Sequence, residues 1–454
     1  MVEPHILKRQ YGFFITLCIV IGFVVGTGIF WRPGRVLMEA GGMVDVGVWA
    51  WVIGGLVIST CVYMFAIMAG KYEKIHGMVD YAEAVVGKRY GYLAGWFFCI
   101  MYQTAGYAII AFISASFTAV IAGHDNVTNS PFVFFITAFY MVGVFVLNYI
   151  APKLPMMLNT TTTIVRLIPL VAMGTVGVIL GISVSEGYAT AIGATTLEGI
   201  APPSFLGAVF ATAFAYNGWQ AAVAFNSEIN NGKKTFPFAL LSGFFIVIVI
   251  YVLYFLGIAY NSDHLVLVSN NQLGTRQAFA NVFGSYAYNI VMVFVIISGL
   301  GILNMCCMGM SRSMYALARR GLGPMPERMR QLDPHTNVPV CSMVTCVGVS
   351  FLWLMIIFGN HNNWFTIMGR PFNFDLPDFY NMVFFALIIP IFIGFMIKHR
   401  QDKTIPLFNR TAAPILGATG AGFMIFALVM SSPLHAVVYT LVFAILTIIG
   451  IIFK

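Results

Sequence analysis

The chain alternates long apolar runs with short polar segments, and this pattern determines the predicted fold. A run of about 18 or more apolar residues forms a helix long enough to cross the roughly 30 Å hydrocarbon core of a bilayer. Such runs recur from one end of the chain to the other. We therefore predict an all-α membrane protein with twelve transmembrane helices, near residues 11–38, 46–70, 91–122, 131–150, 156–181, 204–227, 237–260, 284–317, 338–359, 376–397, 412–431 and 434–453.

The first run contains an unusual cluster of glycines, Gly22, Gly26 and Gly28. Each glycine weakens a helix interior by about 1 kcal/mol relative to alanine, so we expect the helix to break there. Lipid does not hydrogen-bond the backbone groups that a break releases, and a broken span must therefore line an internal polar site. This break is the predicted binding site.

The sixth run repeats this feature, because Asn217 and Gly218 stand about midway along it. Two broken helices five spans apart, one entering from each side, are typical of two five-helix halves with inverted topology. The binding site then lies between the halves, near the bilayer midplane. We expect one transmembrane domain over 1–454, with repeats at 11–181 and 204–398 and two extra helices at 412–453.

Composition and charge support a membrane location. Hydrophobic residues make up 59% of the chain, charged residues only 9%, and the mean hydropathy is +0.88. The net charge of +8 comes mainly from segments that face the cytoplasm if the N-terminus is inside, whereas few basic residues fall in the outer segments: Arg32, Arg35, Arg276 and Arg370. This is the positive-inside pattern, not a nucleic-acid footprint. We expect a multi-pass plasma-membrane protein with both termini in the cytoplasm.

The motifs of the common enzyme classes are missing from the sequence. It contains no H-E-x-x-H pattern, no phosphate-binding loop and no paired carboxylates within a span, so we predict no enzyme activity, cofactor or metal. The seven cysteines lie in apolar runs without metal-ligand spacing and are interpreted as packing residues. A channel is the alternative from another class, but it favours a ring of repeated polar residues over two broken helices.

Several stretches resemble one transporter family. Gly22-x-x-x-Gly26-Thr27-Gly28-Ile29-Phe30 resembles the first-helix signature of the amino acid/polyamine/organocation (APC) superfamily, especially its L-type amino acid exchangers and bacterial serine/threonine exchangers. The sixth-helix stretch Phe214-Ala215-Tyr216-Asn217-Gly218-Trp219 is similar to the motif of the same branch. Further similarities follow in the same order: Glu228 to Pro237, Leu303-Asn304, Arg312, Ala316 to Arg319, and Asp333 to Pro339. The resemblance implies a LeuT-like fold and amino acid transport.

The segment Gly26-Thr27-Gly28 is the predicted site for the substrate carboxylate. An outer half-helix that starts here presents free N–H groups and the positive end of its dipole, and Thr27 adds a hydroxyl. The alternative is a stripe of small residues for close helix packing, since Gly22 and Gly26 are four residues apart. The two roles are compatible.

The resemblance also implies the site for the substrate amine. It points to the backbone carbonyl groups of Val24, Phe214 and Asn217. No Asp or Glu falls at the centre of a span, and Gln220 stands where arginine/agmatine exchangers have Glu. Cationic substrates therefore lack a counter-ion and are disfavoured.

Three aromatic residues of the sixth run are candidates for the substrate pocket. By resemblance, Phe214 is the ring that closes over the substrate, and Tyr216 and Trp219 line the pocket. The alternative for all three is ordinary packing, because 15% of this chain is aromatic.

Arg166 is the most informative single residue. It follows Lys153 by thirteen positions, about 20 Å along a helix, which places it near the bilayer centre. An unpartnered charge there costs about 3 kcal/mol. The similar fifth-helix motif usually has Lys at this position. We expect Arg166 to bind carbonyl groups freed by the broken first helix, where sodium-driven relatives hold a cation. The alternative is that it extends to the inner interface, as Arg312 is expected to do.

These features together predict a secondary active transporter of small or mid-sized neutral L-amino acids. Sodium-independent exchange by alternating access is the favoured mode, and a proton-coupled symporter of the same fold is the alternative. The expected partners are the amino acid and the lipid bilayer. Mammalian L-type light chains bind a heavy subunit through a cysteine between spans three and four, but residues 122–131 contain none. We expect no disulfide-linked subunit.

Overall fold

The computed structural model describes residues 11–72, 78–124, 130–151, 166–184, 203–223, 229–367 and 369–454. Long apolar helices account for most of this part of the chain. Within it, eleven helices are long and apolar enough to cross a membrane: Phe13–Trp31, Val44–Lys71, Lys88–Ile121, Pro131–Ile150, Arg166–Ser183, Gly232–Asn261, Tyr288–Arg319, Val340–His361, Leu376–Lys398, Phe408–Ser431 and Pro433–Ile452. We call them spans one to five and seven to twelve in chain order.

The sixth predicted span is present as two short helices, and for this reason it is not among the eleven. Phe205–Thr212 and Trp219–Ala222 are separated by a non-helical stretch that contains Asn217 and Gly218. Ser204 caps the first piece, where its hydroxyl accepts a hydrogen bond from the Gly207 N–H at 3.0 Å. The predicted break in the sixth helix is thus confirmed.

The first span is broken as predicted. Phe13–Val24 ends where the Val25 N–H donates to the Ile21 carbonyl oxygen at 2.8 Å, and helix resumes at Gly28–Trp31. The sequence predicts one long run over 11–38, but the structure has a further helix at Pro33–Glu39. Proline at the first helical position explains this restart, because its missing N–H is not needed there.

Burial orders the spans from the centre of the bundle to its periphery. In the most apolar stretch of the third span 89% of residues are buried, whereas the corresponding figure for the twelfth span is 17%. The large exposed side chains of the twelfth span are aliphatic, among them Leu441, Ile445 and Ile448. Such a surface suits lipid, so the third span is a core element and the twelfth is a peripheral one.

Short elements connect the spans. They are Met78–Val85, His264–Ser269, Asn271–Phe283, Pro326–Met329 and an antiparallel pair of two-residue strands, Thr366–Ile367 and Arg370–Pro371. Met78–Val85 belongs to the segment between spans two and three. Its Asp80 and Glu83 pair with Arg320, at 2.8 Å and 3.0 Å, and so attach this helix to the end of span eight.

Span seven crosses span five at a glycine. A Cβ atom on Gly257 would lie 2.2 Å from the carbonyl oxygen of Met173, well inside van der Waals contact. Only glycine allows the two backbones to approach this closely.

We expect Gly257→Ala to destabilise the protein by about 1–3 kcal/mol, because one of the two spans must shift to accept the methyl group. The measurement is thermal unfolding of the purified protein in detergent. Gly422→Ala in span eleven is the matched control, since no atom lies within 4 Å of a Cβ added there. Equal unfolding temperatures for the two variants would contradict the prediction.

Candidate functional site

The breaks in the first and sixth spans contact each other. A Cβ atom on Gly28 would lie 3.1 Å from the Ala215 Cα and 3.3 Å from the Phe214 carbonyl oxygen. A Cβ atom on Gly218 would lie 2.1 Å from the Phe23 carbonyl oxygen, and the Gly218 φ of 111° also favours glycine. Two glycines therefore allow the two interrupted backbones to meet.

Tyr251 of span seven joins the two breaks. Its hydroxyl lies 3.0 Å from the Val24 carbonyl oxygen and 3.1 Å from that of Ala215, and the side chain is fully buried. Each carbonyl belongs to a different broken helix. Since the hydrocarbon region supplies no water, a side-chain donor must satisfy such groups. Sequence analysis did not single out Tyr251.

Arg166 lies against the broken first helix. Its Nη1 donates to the carbonyl oxygens of Gly22, at 2.7 Å, and Val25, at 2.9 Å. The residue is 1% exposed and therefore does not extend to the interface. The guanidinium thus hydrogen-bonds the carbonyl groups that are released at the end of Phe13–Val24.

The candidate carboxylate segment Gly26-Thr27-Gly28 lies in a narrow gap between the sixth and eighth spans. Gly28 faces the sixth, as described above, while a Cβ atom on Gly26 would lie 3.0 Å from the Cδ1 of Ile302 in span eight. Thr27 is buried, and its Cγ2 would lie 3.0 Å from a Cβ on Gly299. The segment therefore combines a helix start with close packing.

Aromatic rings from four spans line this gap. Phe214 packs edge to face against Trp31, with ring centroids 6.3 Å apart, and against Tyr380, at 5.8 Å. Tyr380 of span ten stacks on Tyr102 of span three at 4.0 Å. Phe214, the predicted gate, thus contacts aromatic rings of span one and span ten.

The other two aromatic candidates point elsewhere. The Tyr216 hydroxyl donates to the Trp51 carbonyl oxygen at 2.9 Å, so its ring lies against span two. Trp219 packs edge to face on Phe65 at 4.9 Å and on Phe384 at 5.7 Å. Both residues are fully buried, and these contacts fit a packing role.

Polar side chains of the sixth span bind its neighbours. The Asn217 Nδ2 donates to the Oδ1 of Asn381 in span ten, and the Gln220 Nε2 donates to the Tyr102 hydroxyl. The Gln220 Oε1 also accepts a hydrogen bond from the Gly218 N–H at 3.1 Å. These contacts hold the non-helical stretch in place. Across the part of the chain that the structure describes, no group of three or more His, Cys, Asp or Glu residues could hold a metal ion.

Comparison with known families identifies the family of this chain. The family model for amino acid permeases matches residues 11–453, nearly the whole chain. The protein belongs to the amino acid permease family. It is therefore a membrane transporter and not an enzyme.

The permease is similar to two transporters of known type and to one solved structure. It is 26% identical to the serine/threonine exchanger SteT of Bacillus subtilis, over 93% of this chain and 92% of the relative. It is 24% identical to the b(0,+)-type amino acid transporter 1 of Mus musculus, over 96% and 86%. The crystal structure of MhsT in complex with L-phenylalanine superposes with a TM-score of 0.54 at 16% identity, covering 96% of this chain and 99% of that one. The permease thus has the predicted LeuT-like fold.

One charged cluster of the permease was missed by sequence analysis, which assigned Arg32 to an outer segment. Arg32 is 1% exposed, and its Nη2 lies 3.3 Å from the Asp378 Oδ1 and 3.8 Å from the Asp375 Oδ1. We call these three residues the Arg32 cluster. The Arg32 guanidinium also lies over the rings of Trp31, at 5.1 Å, and Phe214, at 5.3 Å. The cluster therefore closes one end of the gap beside Phe214.

We expect Arg32→Gln to lower the stability of the permease by about 3–5 kcal/mol, because it removes the guanidinium that pairs with the buried Asp378 carboxylate. Thermal unfolding in detergent measures this loss. The Arg32→Gln/Asp378→Asn double variant should regain part of it, since one uncompensated charge is gone. Arg330→Gln is the control, as Arg330 pairs with Glu327 on the surface. A double variant that is less stable than Arg32→Gln would refute this account.

Proposed function

We propose that this permease exchanges small or mid-sized neutral L-amino acids by alternating access, without sodium. The observation that carries the proposal is the buried Arg166 side chain, which donates to the Gly22 and Val25 carbonyl oxygens. In transporters built on broken helices, unwound carbonyl groups of this kind coordinate the coupling cation. Here a covalently attached cation binds them instead.

The identity of this cation matters for energy coupling. A buried lysine can lose and regain a proton during a transport cycle, whereas arginine stays charged at every accessible pH. Arg166 therefore supplies a permanent positive charge and no titrating step. A carrier with such a site needs neither sodium nor a proton there. The exchanger SteT, a relative over most of the chain, is consistent with this mode.

The proposed substrate lies between the two breaks. Its carboxylate binds the N–H groups of Gly26, Thr27 and Gly28, at the start of the outer half-helix. Its ammonium binds the carbonyl groups of Val24, Phe214 and Asn217, and the Phe214 ring closes over it. The Val24 oxygen already accepts from Tyr251, but a carbonyl oxygen has two lone pairs.

Neutral substrates are proposed because the acidic groups of the Arg32 cluster are already paired. Asp375 and Asp378 lie against Arg32, and the residues at the two breaks carry no carboxylate. A second positive charge on the substrate would remain uncompensated in a buried site.

We also propose that the permease lies in the plasma membrane with both termini in the cytoplasm and functions without a covalently attached subunit. The basic residues favour this orientation. The segment 122–131 contains no cysteine that could bind a heavy subunit.

Gly26→Leu and Gly28→Leu should each abolish amino acid binding, because a side chain would fill the space that the ligand and the neighbouring spans need. The contact distances at both glycines leave no room for leucine. Binding of radiolabelled amino acids to purified protein measures the effect. Gly143→Leu in span four is the matched control, as no atom lies within 4 Å of a Cβ there. Wild-type binding by either site variant would disprove the assignment.

Transport by the purified protein in liposomes tests the exchange mode and the absence of a partner together. Uptake should require a loaded internal amino acid and should change less than about twofold when a sodium or pH gradient is imposed, because Arg166 does not titrate. Arg166→Ala should reduce exchange at least about tenfold, through the loss of the charge that binds the carbonyl groups. Arg166→Lys should introduce pH dependence.

Arg312→Lys is the control for that series, since Arg312 is an exposed arginine of span eight. Strong proton-driven accumulation by the wild type would favour the symporter instead. An absolute requirement for a second subunit would refute the proposal of a chain that functions alone.

A further inference from the structure

A buried amide pair lies beside the proposed substrate site. Asn217 is 8% exposed and Asn381 is fully buried, and the Asn217 Nδ2 donates to the Asn381 Oδ1. Asn217 belongs to the break of the sixth span and Asn381 to span ten. The pair therefore links the proposed substrate site to span ten, which contributes no backbone group to that site.

One member of this pair has an unused donor. The Asn381 Nδ2 is buried and has no hydrogen-bond partner among the residues that the structure describes. Buried polar groups in proteins are nearly always paired, and an orphaned donor is unfavourable because it has lost its water. A ligand that brings an acceptor oxygen would satisfy it.

The hydrogen bond from Asn217 places the Asn381 side chain beside the break of the sixth span, and the neighbouring residues of Asn381 also contact this region. The adjacent residue, Tyr380, packs its ring on Phe214 at 5.8 Å and on Tyr102 at 4.0 Å. Phe214 in turn contacts Gly28, whose Cβ position lies 3.2 Å from the Phe214 Cδ1. Asn381 is therefore bonded to one residue of the sixth-span break, Asn217, and is next in the chain to Tyr380, which packs on another, Phe214.

We propose that Asn381 binds the side chain of the substrate, by donating from its Nδ2 to a hydroxyl oxygen near the substrate Cβ. This inference rests on the proposed function and specifies its substrate class: small hydroxyl amino acids such as serine and threonine. The amide is neutral, so it does not compensate an anionic side chain. The large rings of Phe214, Tyr380 and Tyr102 limit the size of the substrate side chain.

The contrast between threonine and valine isolates this interaction, because the two side chains differ by one hydroxyl in place of one methyl group. Valine would leave the Asn381 Nδ2 unpaired in the occupied site. A site that hydrogen-bonds a substrate hydroxyl discriminates strongly against an analogue without it. The kcat/KM for threonine exchange should exceed that for valine by about 10- to 100-fold in the wild type.

The Asn381→Leu variant should bring this ratio close to one, through loss of threonine transport relative to valine. Because the ratio is measured within one preparation, a lower amount of folded protein does not change it. Asn381→Ser is the second variant. Its shorter side chain should lower the ratio at least several-fold if the leucine variant proves inactive.

Asn148→Leu is the matched control. The Asn148 Nδ2 donates to the Asn304 Oδ1 in a similarly buried amide pair between spans four and eight. This variant should keep the wild-type ratio. An unchanged ratio in the Asn381 variants, or a wild type that exchanges valine as fast as threonine, would overturn the inference while leaving amino acid exchange intact. No uptake of any amino acid by the wild type would instead refute the proposed function.

Discussion

The interaction on which the rest of the site depends is the hydrogen bonding of backbone groups released inside the membrane. A helix that breaks at mid-span frees carbonyl oxygens that lipid cannot satisfy. In this chain, two other spans supply the donors. Arg166 of span five binds the end of the first half-helix, and the Tyr251 hydroxyl of span seven lies between a carbonyl of each break. The breaks are possible because these side chains reach them.

The two buried arginines beside the first span have different surroundings. Arg32 lies near two carboxylates and over two aromatic rings, whereas Arg166 donates to carbonyl oxygens. Arg32 directly follows Gly28–Trp31, and Arg166 lies beside the end of Phe13–Val24. The Arg32 cluster encloses the gap next to Phe214, and Arg166 supports its backbone. A buried arginine therefore interacts with each half of the first span.

Local sequence patterns predicted most of the architecture and only part of the site. The positions of the breaks follow from Gly26, Gly28 and Gly218, because a poor helix former weakens the helix at its own position in the chain. Contacts between distant spans have no such local signal. The Arg32–Asp378 pair joins residues 346 positions apart, and nothing in the chain indicates that spans one and ten meet. Tyr251 was missed for the same reason, as one tyrosine within a uniformly apolar run.

The bridging position of Tyr251 has a consequence for transport from the two sides of the membrane. One hydroxyl lies within hydrogen-bond distance of a carbonyl group of each break, so any movement of the first span relative to the sixth must break or remake at least one of these contacts. The hydroxyl has one proton to donate, so a movement that separates the breaks leaves it bonded to the carbonyl group of only one of them.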